Sequence, residues 1–168
     1  MKIQRRSLGE GVYQRLLRLI LDGEIPVGSR MREEALCKEL GVSRTPLREA
    51  MFRLIQEGIL EQKPYCGCIV RQFGKDEISQ LMECRRLLEC MILKEWFGRI
   101  DRDAVKKLGE DLDAATKSGN ENLRIAIFEA DEKLHDLILS ACDNKFLSEE
   151  LNRIKLMLAV AHQRMDTS

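Results

Sequence analysis

Between residues 8 and 21 the apolar positions Val12, Leu16, Leu17, Ile20 and Leu21 recur at intervals of three and four, the stripe of an amphipathic helix, and Gly23 and Pro26 end it. A second short helix is predicted over Glu33 to Leu40, where Leu36 and Leu40 fall four apart and Gly41 can close it in a left-handed conformation at no steric cost. A third runs from Arg44 to about Glu57 on the core stripe Leu47, Ala50, Met51 and Leu54. Ser43 stands where its hydroxyl can cap the first turn, Pro46 lies inside that turn and Gly58 supplies the stop. The helical period then yields to two strand-like runs, Ile59 to Gln62 and Cys68 to Arg71, joined by Lys63-Pro64-Tyr65-Cys66-Gly67. Three helices with a tight turn between the last two, followed by a hairpin, predict a winged helix-turn-helix.

From Lys75 onward no strand pattern survives. Four helices are predicted at about 76 to 98, 102 to 117, 120 to 141 and 145 to 164, the first carrying Ile78, Leu81, Met82, Leu88, Met91 and Ile92 on its stripe. The fold class is therefore mainly α: a winged helix-turn-helix over residues 1–74, then an all-helical bundle over residues 75–168, with no internal repeat.

Composition agrees with that division. A chain of 168 residues with 44% apolar and 33% charged residues fits two small helical domains and no fibrous or disordered class. No apolar run approaches the roughly 20 residues of a membrane span, and the basic start lacks a secretory apolar segment, so the expected location is the cytoplasm, with no membrane partner. The six cysteines form no C-x-x-C pair and have no neighbouring histidine, which favours reduced thiols over a disulfide framework or zinc site. The formal net charge is zero, yet residues 1–74 carry 13 Lys and Arg against 9 Asp and Glu, and residues 75–168 carry 15 against 19. A basic head on an acidic body is the distribution of a DNA-binding module joined to a second function.

A DNA-reading helix must bury one face in its own domain and present donors from its N-terminal end. In the third helix Arg44 and Arg48 lie one turn apart with Thr45 beside them, rotated away from the core stripe. An arginine fork can donate two parallel bonds to guanine O6 and N7, while Thr45, Ser43 and the helix N-terminus can serve bases or phosphates. The segment from Gly41 to Leu60, GVSRTPLREAMFRLIQEGIL, closely resembles the recognition segment of GntR-family regulators, as do Val12-Tyr13, residues 20–25 and the wing Gly67. The resemblance covers nearly all of residues 8–71 and implies that Arg44, Thr45 and Arg48 contact DNA while the wing around Gly67 enters the adjoining minor groove. Family members often carry a DNA-contacting arginine early in the second helix. Glu34 stands there in this chain, with Arg32 placed to compensate, so the operator preference is expected to differ from the usual one.

The second half resembles the FCD-type ligand-sensing domain of the FadR-like subfamily. Glu83-Cys84-Arg85-Arg86-Leu87-Leu88-Glu89 is similar to its opening motif, and Asp131-Glu132-Lys133-Leu134-His135 followed by Asp143-Asn144-Lys145-Phe146-Leu147 to its central one. The resemblance implies a divalent metal (zinc, nickel or manganese) held by Asp131 and His135, and a small organic acid effector held by Arg85. Residues four apart on one helix face do converge, and imidazole with carboxylate suits such ions. The family's two further metal histidines belong to its last two helices, which this chain stops short of, so the domain reads as truncated, with apolar faces left to dimerisation or instability.

Three function classes follow. The leading one is a homodimeric transcription regulator, repressor or activator, whose two heads read a pseudo-palindromic operator. An enzyme is disfavoured: there is no third clear metal ligand, no nucleophile with an adjacent base and no glycine-rich phosphate loop. A protein-docking winged helix would not need the arginines that open the third helix.

Overall fold

The computed structural model describes residues 3–117 and 123–162. It divides into two compact units, one of residues up to Met82 together with those from Arg153 onward, the other Glu83–Asn152.

In the first unit α1 (Ile3–Leu21), α2 (Glu33–Leu40) and α3 (Arg44–Gln56) precede a hairpin of β1 (Leu60–Lys63) and β2 (Gly67–Val70). The backbone of α1 turns helical several residues before the apolar stripe begins. Its buried face is Val12, Tyr13, Leu16, Leu17, Leu19 and Ile20, whereas Leu21, one step round the helix, is only partly covered. Leu47, Ala50, Met51 and Leu54 of α3 are buried as their spacing predicts. Each fully buried aliphatic side chain contributes about 1.5–3 kcal/mol, so Leu16, Ile20, Leu47 and Leu54 alone outweigh every polar contact described below.

Both predicted helix stops are present. Gly41 has φ 65°, and the Val42 amide donates to the Cys37 carbonyl. Gly58 has φ 78°, with the Ile59 amide reaching Leu54 O at 2.9 Å and its own amide reaching Ile55 O at 3.0 Å, a Schellman closure. Ser43 occupies the N-cap of α3 in extended conformation, but its side chain makes no capping hydrogen bond. The capping expected of its hydroxyl is therefore absent, and the hydroxyl stays exposed beside the first turn.

The strands pair antiparallel from Leu60 opposite Val70 to Lys63 opposite Gly67. β1 starts one residue later than the sequence predicts, because Ile59 is still engaged in closing α3. The sequence reading assigned nothing to Gly28–Met31, yet this stretch lies along the outer edge of β2. Gly28 N donates to Val70 O, Val70 N to Ser29 O and Met31 N to Cys68 O, with an antiparallel bridge between Arg30 and Ile69. The exposed edge that a two-stranded wing would otherwise leave on that side is thereby paired. From the wing the chain enters α4 (Lys75–Trp96), whose start is fixed by Glu77: its carboxylate accepts from the Gly74 amide at 2.9 Å and from Arg71 at 2.8 Å. Those two contacts, the Gly74 amide first, hold the Glu77 carboxyl below its ordinary pKa.

The second unit contains most of α4, a 3-10 turn at Phe97–Arg99, α5 (Arg102–Lys117), α6 (Leu123–Ser140) and the start of α7 (Lys145–His162). The sixth helix was expected from 120 and the seventh to 164; residues 120–122 and 163–164 lie outside those described. The fourth ends at Trp96 rather than 98. Ile92, Ile138 and Leu151 form the buried centre, with Leu88, Trp96 and Leu147 packed around it. Asp101 caps α5 through the Ala104 amide, and Asn144 caps α7 through the amides of Phe146 and Leu147. Leu87, Met91, Ile125, Phe128 and Phe146 remain exposed.

Two measurements check this architecture. A Cβ at Gly58 would meet the far ends of two flexible side chains, Met157 and Arg71, so the backbone sign dominates the cost of Gly58→Ala, expected at about 1–2 kcal/mol in urea unfolding. Burial pushes the Cys68 thiol up to about 11 while Cys66, Cys84 and Cys90 are exposed, so brief alkylation at mildly alkaline pH should label those three and spare Cys68 by mass spectrometry.

Candidate nucleic-acid interface

Two helix surfaces decide how α3 is presented. Its inner face is held to α1 by the leucine core and by a polar clamp at its C-terminal end. Tyr13 donates its hydroxyl to Glu57 at 2.7 Å, and the Arg53 guanidinium lies 3.7 Å from the Tyr13 ring centroid. Arg53 also reaches Glu57 at 3.0 Å and Glu10 at 2.6 Å. Burial, and then donation to Glu57, raise the Tyr13 phenol well above its ordinary pKa, so it remains a donor at any working pH. While the C-terminal end is tied down in this way, the N-terminal end buries Pro46 and Leu47 and turns its polar residues to solvent. Ser43, Arg44, Thr45 and Arg48 are all exposed there, on the side opposite the buried stripe.

Beside them a cleft of about 750 Å³ opens between α2 and the wing. It brings together Arg30, Arg32 and Lys38 with Glu33, Glu34 and Gly67. Arg32 is the exposed N-cap residue of α2 and Glu34 lies exposed beside it, so the cation and the carboxylate that the sequence weighed against each other share one rim. Gly67, at φ 75°, is approached by Arg30: a Cβ there would lie 3.5 Å from the guanidinium. Arg30 is a candidate interface residue that sequence reasoning missed. Its signal was the alternation Arg30-Met31-Arg32, a buried residue between two exposed cations, in a stretch with no strand propensity of note. At the tip of the wing Tyr65 is fully exposed with φ 63°, an uncommon conformation for a residue with a side chain.

A second cluster lies in the helical unit. Arg85 and Glu89 on α4 face Asp131, Glu132 and His135 on α6. Arg85 Nε donates to Glu89 Oε1 at 3.1 Å, and its terminal nitrogens lie 3.8 Å from Asp131 and 3.9 Å from Glu132. His135 contacts Glu89 through Nδ1 at 2.6 Å and Asp131 through Nε2 at 3.3 Å. Asp131 and His135 thus do converge, but both ring nitrogens face carboxylates, and the cation among the acids is Arg85. Among the described residues no group of three or more His, Cys, Asp or Glu side chains is arranged to hold a metal ion. As placed, these residues do not fit the divalent ion expected at Asp131 and His135. Glu89, buried to 6% exposure, is the member sequence reasoning did not single out, although it stands four residues after Arg85.

No helix among the described residues is long and apolar enough to cross a membrane. Several known proteins resemble the chain. It is 26% identical over 145 residues to the uncharacterized HTH-type transcriptional regulator YdhC of Bacillus subtilis, covering 84% of this chain and 64% of that protein. It is also 26% identical to the gluconate operon transcriptional repressor of Bacillus subtilis, covering 91% and 63%. The chain thus spans less than two thirds of the length of these relatives. Among solved structures, a transcriptional regulator GntR from Rhodococcus sp. RHA1 shares the fold with a TM-score of 0.75 at 24% identity, over 95% of this chain and 76% of that one. E. coli McbR/YncC follows the same fold at 0.63 and 23%, over 92% and 71%. The profile of bacterial regulatory proteins, gntR family, matches residues 8–70, and that of the FCD domain matches residues 80–167. With two profiles accounting for its head and its helical body, the chain belongs to the GntR family of regulatory proteins and carries an FCD domain.

Proposed function

We propose that this protein is a transcription regulator that binds a pseudo-palindromic DNA operator as a homodimer, inserting the N-terminal end of α3 into the major groove and the wing around Gly67 into the adjoining minor groove. The observation that carries this reading is the exposure of Ser43, Arg44, Thr45 and Arg48 together at the N-terminal end of a helix whose other face is buried. The neighbouring Arg30, Arg32 and Lys38 add charge for phosphates. Exposed Leu87, Met91, Ile125 and Phe128 on α4 and α6 support self-association of the helical unit. The gluconate operon repressor among the relatives supports the same sign of regulation here.

The test is selection from a library of random duplexes at two salt concentrations. A palindromic site should be enriched, and its affinity should fall with salt at a slope of about 0.9 per phosphate contacted. Arg48→Ala and Arg44→Ala should each lose about 1–3 kcal/mol of discrimination at one base pair per half-site. An unaltered preference in both variants would count against the assignment.

Modulation by a small carboxylate effector is the second part of the proposal. Arg85 has a terminal nitrogen that is buried without a hydrogen-bond partner, a donor that an organic acid could satisfy. Glu89 already neutralises part of its charge, so the site favours an acid that adds hydroxyl contacts. Trp96, the single tryptophan, packs against the core of this unit and reports on it. Titration with short hydroxyacids and dicarboxylates should give a saturable change in its fluorescence and a higher melting temperature, about 2.7 kcal/mol of stabilisation at a hundredfold excess over Kd. Both responses should vanish in Arg85→Ala.

A further inference from the structure

Arg48 is engaged on one edge of its guanidinium. Its Nε donates to both carboxylate oxygens of Glu33, at 3.1 and 2.9 Å, while among the described residues its two terminal nitrogens make no hydrogen bond. The arginine side chain is 63% exposed and the glutamate 34%. An ion pair that open to solvent adds little to stability, so its consequence lies in geometry. Glu33 is itself anchored: it opens the first turn of α2, where the helix N-terminus favours a carboxylate, and it lines the cleft shared with Arg30, Gly67 and the wing.

We infer that Glu33 is a positioning residue for base recognition, holding the Nε edge of Arg48 so that the Nη1 and Nη2 edge faces the DNA. The inference rests on the DNA-binding reading above. Guanine O6 and N7 accept two parallel bonds from one edge of an arginine fork. A free arginine must freeze four side-chain torsions to present that edge and can equally slide onto a phosphate, which carries no sequence information. Fixing Nε removes most of that freedom before DNA arrives, so the effect of Glu33 falls on discrimination rather than on total affinity. A carboxylate merely competing with DNA for Arg48 would behave oppositely: its removal would tighten binding everywhere and leave selectivity intact.

The experiment uses the full chain and the duplexes that the wild type enriches, comparing Glu33→Ala, Glu33→Gln, Arg48→Ala and the double variant E33A/R48A, with melting curves confirming that each is folded. Glu33→Ala is expected to lose about tenfold of the preference at the same base pair per half-site that Arg48→Ala relaxes, with the other positions unmoved and no loss of affinity for a scrambled duplex. Glu33→Gln, which keeps the shape and one acceptor, should fall between it and the wild type. It also carries the test if the alanine variant does not fold. The double variant should match Arg48→Ala within about twofold, because Glu33 acts through Arg48. An unchanged preference in both Glu33 variants, or tighter binding with selectivity intact, overturns the inference while leaving DNA binding standing. Failure of the wild type to enrich any duplex overturns the DNA-binding reading and this inference together.

Discussion

The buried contact between α1 and α3 is the constraint on which the first unit depends. Leu16 and Ile20 on one side and Leu47 and Leu54 on the other are removed from water entirely, an apolar burial large enough to orient α3. A helix held only by such a stripe could still rotate or slide slightly. The Tyr13, Glu57, Arg53 and Glu10 clamp acts on that remaining freedom, because hydrogen bonds and a stacked guanidinium have directions that dispersion lacks. The clamp lies at the C-terminal end of α3, while at the opposite end Arg44 and Thr45 are exposed and one edge of Arg48 is taken by Glu33. Rigidity at one end and donor groups at the other follow from the same packing.

The wing inherits its placement from a less conspicuous element. A two-stranded hairpin is marginal alone, and here Gly28–Met31 pairs with β2 while the Schellman closure at Gly58 fixes where β1 departs from α3. Since Arg30 belongs to that added edge, the pairing which steadies the wing also carries a cation against Gly67. The wing's edge and the candidate interface share the same hydrogen bonds, so a change in the 28–31 segment is expected to act on both.

Helical period and punctuation made most of this legible. The stripes of α1 and α3, the stops at Gly41 and Gly58 and the exposed Arg44, Thr45 and Arg48 could be read directly, because each depends on residues within one or two turns. What escaped was non-local. Arg30 acquires its meaning from Ile69, and Glu33 from Arg48 fifteen positions away, and neither pairing leaves a periodic trace in either segment. Ser43 shows the converse: the right residue in the right conformation, with its hydroxyl not used for the cap that its type favours. Local chemistry establishes what a side chain can do, and the tertiary surroundings select among the options.

Charge balance in the helical unit makes the same point. Asp131 and His135, taken as a pair on one helix, have the spacing of a metal-binding couple. The facing helix supplies Arg85 and the buried Glu89, and these change the account. A buried carboxylate needs a counter-charge. Glu89 has one in the Arg85 guanidinium at 3.1 Å and a second polar contact in His135 at 2.6 Å. A divalent cation entering the same space would meet a fixed positive group and would have to break the contacts of His135 with Glu89 and Asp131 before taking those groups as ligands. Three carboxylates, one imidazole and one guanidinium already form a connected polar network, and one terminal nitrogen of Arg85 is buried in it without a hydrogen-bond partner. A buried N–H of that kind costs free energy until an acceptor reaches it, which is the physical support for the small-acid effector proposed above.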